Sequence, residues 1–158
     1  MKAAHQAIGW AFGALLCVVC AVASAHVTIW PRESRTGAYE KYVVRVPTEG
    51  QVATASVELM IPEGATLVSM GAPTGFTYEL RKTGERVTSI LWTMRINPGE
   101  FAEFPFMARN PGKPGAIAWR AIQRFVDGSK AEWSGPAGDK HPASVTTLRA
   151  DGHEHAHH

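Results

Sequence analysis

Past residue 25 the chain contains no cysteine; its two, Cys17 and Cys20, both precede that point. Disulfides and thiolate metal sites are therefore excluded from the remainder, and stability there has to come from a hydrophobic core. No apolar run of bilayer-spanning length follows Val22. No block of like charge appears either. Without Lys2 the chain has 15 Lys and Arg against 14 Asp and Glu, mixed along its length. That distribution excludes the basic footprint of a nucleic-acid binder. Methionines 60, 70, 94 and 107 are scattered, with no Met-x-Met cluster. Internal repeats are absent, and no stretch has the periodicity of a long amphipathic helix.

The opening residues are of a different kind. Lys2 supplies a positive start, Ile8 to Val22 is apolar, and Ala23-Ser24-Ala25 has the small-x-small form of a signal-peptidase site. The run is shorter than the roughly 20 residues needed to span a bilayer. A secretory signal peptide over residues 1–25 is expected, with a retained signal anchor as the alternative. Leu16 and Val19 are not the small residues that a lipid-acceptor cysteine wants before it, so lipid attachment is not expected. Cleavage after Ala25 leaves 133 residues, a length suited to one domain, outside the cytoplasm in the periplasm or secreted.

Strand signals then recur, separated by turns. In "ASVELMI" Val57, Leu59 and Ile61 alternate with Ser56, Glu58 and Met60. In "SILWTMRI" Ile90, Trp92, Met94 and Ile96 share one face, and in "FAEFPFMA" Phe104, Phe106 and Ala108 do. "KYVVRVP" and "AIAWRAIQRFV" continue the habit. A period of two marks half-buried strands. Pro62-Glu63-Gly64, Thr83-Gly84-Glu85, Asn97-Pro98-Gly99, Asn110-Pro111-Gly112 and Asp127-Gly128-Ser129 read as turns. The turn at 97–99 is expected to close an antiparallel hairpin. Pro105 is expected on an edge strand. About eight or nine short strands imply an all-β fold, a single β-sandwich domain over residues 26–149. Residues 150–158, with His153, His155, His157 and His158, read as a disordered tail able to gather metal ions, a solubilising tail, or an expression remnant.

Cleavage would make His26 the first residue. Its α-amine and ring Nδ1 can then close a chelate on one ion, and two neutral nitrogens suit Cu(II). The amine's ordinary pKa of roughly 7.7–8.0 lets a metal displace its proton near neutrality. A third, anionic donor is wanted, and Glu33 and Glu40 are near in sequence. Trp30 could flank such a site or simply pack. Trp92 and Trp119 lie on apolar strand faces and read as core. Outside the tail, His141 is the one other histidine after His26.

"AHVTIWPRES", "GAYEKYVVRVPTE", "INPGEFAEFPFMARNP", "RFVDGSKAEWSGP" and "HPASVT", in this order, carry a resemblance to the YcnI family of extracytoplasmic copper-binding proteins over about residues 26–148. The resemblance implies a cupredoxin-like or immunoglobulin-like β-sandwich. It also implies a Cu(II) site in which His26 gives its amine and ring, Glu40 gives a carboxylate, and Trp133 stands against the metal. The family pattern does not use His141. Many members carry a C-terminal membrane helix; here the histidine tail stands instead, so membrane tethering is not expected to carry over.

Nitrogen and oxygen donors without thiolate or thioether favour Cu(II) over Cu(I). An indole nitrogen carries its proton and donates only, so Trp133 reads as a wall rather than a ligand. A non-enzymatic binding protein for copper storage, delivery or homeostasis is the leading expectation. Its partner would be another copper protein or a membrane copper transporter. The alternatives are a copper monooxygenase-like enzyme, which would need His141 as a second imidazole, and a metal-free structural or adhesion sandwich. Zinc is a weaker fit, since its structural sites take four protein ligands.

Overall fold

The computed structural model describes residues 26–150, so the expected signal peptide over residues 1–25 and the histidine-rich tail lie outside the described residues. In chain order the strands are β1 (Thr28–Trp30), β2 (Glu33–Arg35), β3 (Tyr39–Pro47), β4 (Thr54–Met60), β5 (Thr66–Met70), β6 (Thr77–Thr83), β7 (Arg86–Ile96), β8 (Phe101–Arg109), β9 (Gly115–Trp119), β10 (Ala121–Phe125), β11 (Lys130–Trp133) and β12 (Ser144–Arg149). The described residues include no helix, and hence none long and apolar enough to cross a membrane.

Three sheets result. One has the order β1-β3-β8-β5, one β11-β10-β4-β7-β6, and a smaller one β2-β12-β9. The first two meet face to face because alternation puts their apolar residues on facing sides. Tyr42, Val44 and Val46 of β3 sit opposite Phe106, Phe104 and Ala102 of β8, all buried. From the other sheet come Val57, Leu59, Ile90 and Trp92. Trp92 stacks on Phe104 with ring centroids 5.2 Å apart, and Trp119 tilts onto Tyr42 at 4.8 Å. Trp92 and Trp119 are thus core residues, as their strand faces implied.

Outward-facing Glu58 is nevertheless buried. Arg81 and Arg124 pair with it at 2.9 and 3.1 Å, and the Ser89 hydroxyl donates to it at 2.9 Å. A buried carboxylate persists when its charge and lone pairs are satisfied in this way.

Three local expectations are corrected. The turn at 97–99 closes no hairpin, because it joins β7 to β8, which lie in different sheets. Its own chemistry is as expected: Glu100 N donates to Asn97 O, and Gly99 takes a positive φ of 82°. That local geometry serves a corner between sheets as well as it serves a hairpin. Pro105 lies in β8, which has neighbours on both sides. The N–H and C=O of a strand residue point the same way, and Pro105 O accepts from Gly71 N just past the end of β5. The missing donor therefore faces the spot where β5 has stopped pairing, which is why proline is tolerated there. Finally, the apolar stretch "AIAWRAIQRFV" is divided between β9 and β10, which join different sheets, and with the short β1 and β2 this raises the strand number among the described residues to twelve.

Candidate metal centre

Trp133 ends β11, on the inward face it shares with Ala131. Its Nε1 donates to Gln123 Oε1 at 3.1 Å. The Gln123 amide in turn donates to Pro47 O at 2.9 Å and Thr54 Oγ1 at 2.7 Å. This buried relay fixes the indole, since turning it would leave polar groups unpaired. Two imidazoles lie against the fixed ring. The His26 centroid is 5.6 Å away at 62°, and the His141 centroid 4.8 Å away at 82°.

A pocket of about 160 Å³ opens beside these rings, lined by Pro47, Glu49, Gln123, Phe125, Trp133 and His141. Glu49 is exposed and sits two residues beyond β3. Strand register explains its presence. β1 runs antiparallel to β3 with Thr28 opposite Arg45, so two further residues set His26 level with Pro47. The segment after β3 thus arrives where the chain at residue 26 begins its sandwich.

The same register removes Glu40 from this place. Glu40 is seven residues before Pro47 on β3, roughly 23 Å away along an extended strand. It accepts from the Ser34 hydroxyl at 2.6 Å, and no rotamer carries its carboxylate to His26. Glu33 is also at the far end, in an exposed pair with Arg149 at 2.8 Å. That guanidinium holds the Glu33 carboxyl below its usual range, first by hydrogen bonding and then by charge. Trp30 is exposed under the Arg32 guanidinium, 5.0 Å from its ring, and pairs in register with Val43. Of the sequence-predicted ligand set, the structure brings together His26 and Trp133 and leaves Glu40 apart.

Sequence reasoning missed Glu49 because "PTEG" has the look of a solvated turn. A usable signal was there: pairing "HVTIW" with "YVVRVP" so that their apolar residues share a face places residue 26 beside residue 47, not residue 40. His141 was read as outside the site, and its ring lies in the pocket.

At the far end Glu40 belongs to a closed network. Tyr42 donates to Asn110 Oδ1 at 2.6 Å, and Asn110 Nδ2 donates to Ser34 Oγ and to Arg35 O, both at 2.9 Å. Burial, and secondly the Glu40 carboxylate, push the Tyr42 hydroxyl up to about 12.

Imidazole, carboxylate and an indole face are donors and walls appropriate to Cu(II). Among the described residues, however, no three His, Cys, Asp or Glu side chains converge closely enough to share an ion. While residue 25 precedes it, the nitrogen of His26 is an amide with no lone pair to offer.

Fold and site together define an all-β sandwich whose chain enters it at a histidine set against a fixed tryptophan. The family described as a domain of unknown function, DUF1775, matches residues 26–148. The chain belongs to that family, the YcnI-like family to which its motifs pointed. It is 34% identical over 131 residues to the copper-binding protein CutI of Bacillus subtilis, a match covering 81% of this chain. It spans 64% of the length of that relative. Among solved structures, an uncharacterised protein of Nocardia farcinica with an immunoglobulin-like fold superposes with a TM-score of 0.67 at 25% identity, covering 78% of this chain and 97% of that one. A cohesin module of a Clostridium perfringens glycoside hydrolase superposes at 0.55 with 12% identity, covering 79% and 95%, a likeness of fold alone. The immunoglobulin-like form of the expected sandwich is thereby established.

Proposed function

We propose that this chain is a Cu(II)-binding protein of the extracytoplasmic space, loaded through His26 once residues 1–25 have been removed. The observation that carries the reading is the placing of His26 against Trp133, beside a pocket that holds Glu49. The copper-binding relative named above supports the choice of metal. Among the described residues side chains alone do not assemble a site, so the amine freed by cleavage is the donor the reading requires. Amine and ring nitrogen of His26 form the chelate, Glu49 supplies the anionic oxygen in place of Glu40, and Trp133 shields one side. The site then forms only where cleavage has occurred, which confines copper capture to the far side of the membrane.

With one carboxylate against a doubly charged ion the centre stays cationic and exchangeable. That suits storage or delivery to another copper protein or a membrane copper transporter, without catalysis. The test is a Cu(II) titration followed by electron paramagnetic resonance. The protein begins at His26 and has its four tail histidines changed to asparagine; the control has one alanine before His26. The expected result is one tight equivalent with nitrogen hyperfine structure, lost in the control. Equal binding by both overturns the role of the His26 amine, and binding by neither returns the protein to a metal-free sandwich.

His141 beside Trp133 is the observation that favours a second reading, a copper monooxygenase-like enzyme. Sustained oxygen consumption by the loaded protein with a reductant would establish it; its absence would leave a carrier.

A further inference from the structure

We propose that the outward face of the sheet β1-β3-β8-β5 docks on an anionic phospholipid bilayer, lying flat against the headgroups. The proposal stands apart from the copper reading, because none of the side chains it uses lines the pocket beside Trp133. Strand alternation decides what this face carries. Tyr42, Val44 and Val46 of β3 turn inward, so Tyr39, Lys41, Val43 and Arg45 turn outward. Register then sets Trp30 beside Val43, Met107 beside Lys41, Arg109 beside Tyr39, and Phe101 beside Pro47 at the other end. Trp30, Tyr39, Phe101 and Met107 are all exposed, Tyr39 and Phe101 by 66% and 62%. Large apolar side chains gathered on one exposed face mark an interaction surface.

Each of these aromatic rings carries a guanidinium. Arg32 lies over Trp30 at 5.0 Å, Arg45 over Phe101 at 5.6 Å and Arg109 over Tyr39 at 5.9 Å. With Lys41 that makes four cations, against the single carboxylate of Glu103, which Arg45 pairs at 2.8 Å. From residue 26 onward the chain has 15 Lys and Arg against 14 Asp and Glu, so the excess belongs to this face and not to the protein as a whole. A hollow of about 300 Å³ opens on the same face, lined by Lys41, Gly71, Pro105, Phe106 and Met107. Gly71 lets the chain after β5 close on Pro105, since a Cβ there would run into that ring.

The arrangement selects the partner. A second copy of this face is disfavoured, because two cationic surfaces would meet. A protein interface gathers its aromatic anchors near the centre, inside a polar rim. Here Tyr39 and Phe101 stand at opposite ends of the sheet, roughly 27 Å apart along the strands, with half-buried Val43 and Pro105 between them. Rings spread over a flat face suit the boundary between headgroups and acyl chains, where tryptophan and tyrosine are favoured. Guanidinium groups beside them suit lipid phosphates, which they can bind through two N–H groups at once. The apolar hollow, with a lysine in its wall, suits the junction of phosphate and acyl chain.

The test is co-flotation with vesicles, using the chain that begins at His26 without added metal. Residues 1–25 are left off because their apolar run would bind lipid by itself. One vesicle is phosphatidylcholine alone, and the other is equal parts phosphatidylcholine and phosphatidylglycerol. The parent should float with the anionic vesicles and not with the neutral ones, and added salt should release it. Replacing Arg32 and Arg109 together by glutamine should lower partitioning roughly tenfold or more. Trp30→Ala should lower it as well, without removing a charge. Replacing Lys82 and Arg95 by glutamine removes the same charge from the other large sheet and should change little. Thermal transitions check that each variant is folded. Equal losses in the two double variants would overturn the proposal, since net charge would then explain the binding. No flotation of the parent with anionic vesicles would also overturn it, and would assign the face to an acidic protein surface instead.

Discussion

The two ends of the sandwich hold similar residues in opposite states. Strand β3 serves both, with Glu40 at its start and Glu49 just past its end. At the Glu40 end a tyrosine, an asparagine, a serine and the carboxylate hydrogen-bond to one another in one network. At the Glu49 end an exposed carboxylate and the His141 imidazole line a pocket beside an indole fixed by Gln123, and the His26 ring lies against the same indole. The difference teaches that a ligand is recognised by what its neighbours leave for it to do. Glu40 is tied into a hydrogen-bond network, whereas Glu49 lines the pocket beside Trp133.

Blocking the amine of His26 should have the largest effect on this contrast. One added alanine should weaken Cu(II) binding by roughly 100-fold or more, about 3 kcal/mol, while the thermal transition stays put. A parallel fall in melting temperature would show the terminus to be structural at this end too.

At the other end, alkaline titration probes the closed network. The Tyr42 hydroxyl has an ordinary value of 10.0 and is raised to about 12 in the fold. Between those values the unfolded chain has lost the proton that the folded chain keeps. Its contribution is complete below pH 10, falls as pH rises through this window, and is gone above it, a change of about 3 kcal/mol. Urea midpoints measured across the window should fall in the parent, and Tyr42→Phe should remove that part of the slope.

The two carboxylates give the sharpest contrast. Glu49→Gln should weaken Cu(II) roughly tenfold, at little cost in stability. Glu40→Gln should leave copper affinity unchanged and cost about 1 kcal/mol or less in urea denaturation, because the Ser34 hydroxyl then donates to a neutral acceptor. It should also lower the Tyr42 value, since the Glu40 charge is one cause of its elevation. An affinity loss in Glu40→Gln without one in Glu49→Gln would reverse the assignment. The smallest effect is expected for Glu33→Gln, whose exposed pair with Arg149 is worth less than about 1 kcal/mol.

Much of the fold was legible because strand alternation is local. Val57, Leu59, Ile90, Trp92, Phe104 and Phe106 were all placed inward by a period of two, and all are buried. Partnership was less legible. Asn97-Pro98-Gly99 has the chemistry of a tight turn, yet its strands pair elsewhere. Pro105 obeys the rule for proline in sheets, but the relevant edge is the end of β5, far away in sequence. The structure does set Trp133 beside His26, while of the two carboxylates in the same motif it brings Glu49 to that end and leaves Glu40 at the other.

By itself, then, the sequence determined the class of fold, the inward face of most strands, the lack of thiol chemistry, and the candidacy of a histidine placed after a signal-type cleavage motif. These follow from side-chain periodicity and composition, which act over a few residues. Only the tertiary structure decided that Glu49, not Glu40, shares an end with His26, and that His141 lies on the same indole. Those proximities depend on how β1 registers against β3 and on how the loop after β11 folds back. Register between strands distant in sequence is a property of pairing across the whole sandwich.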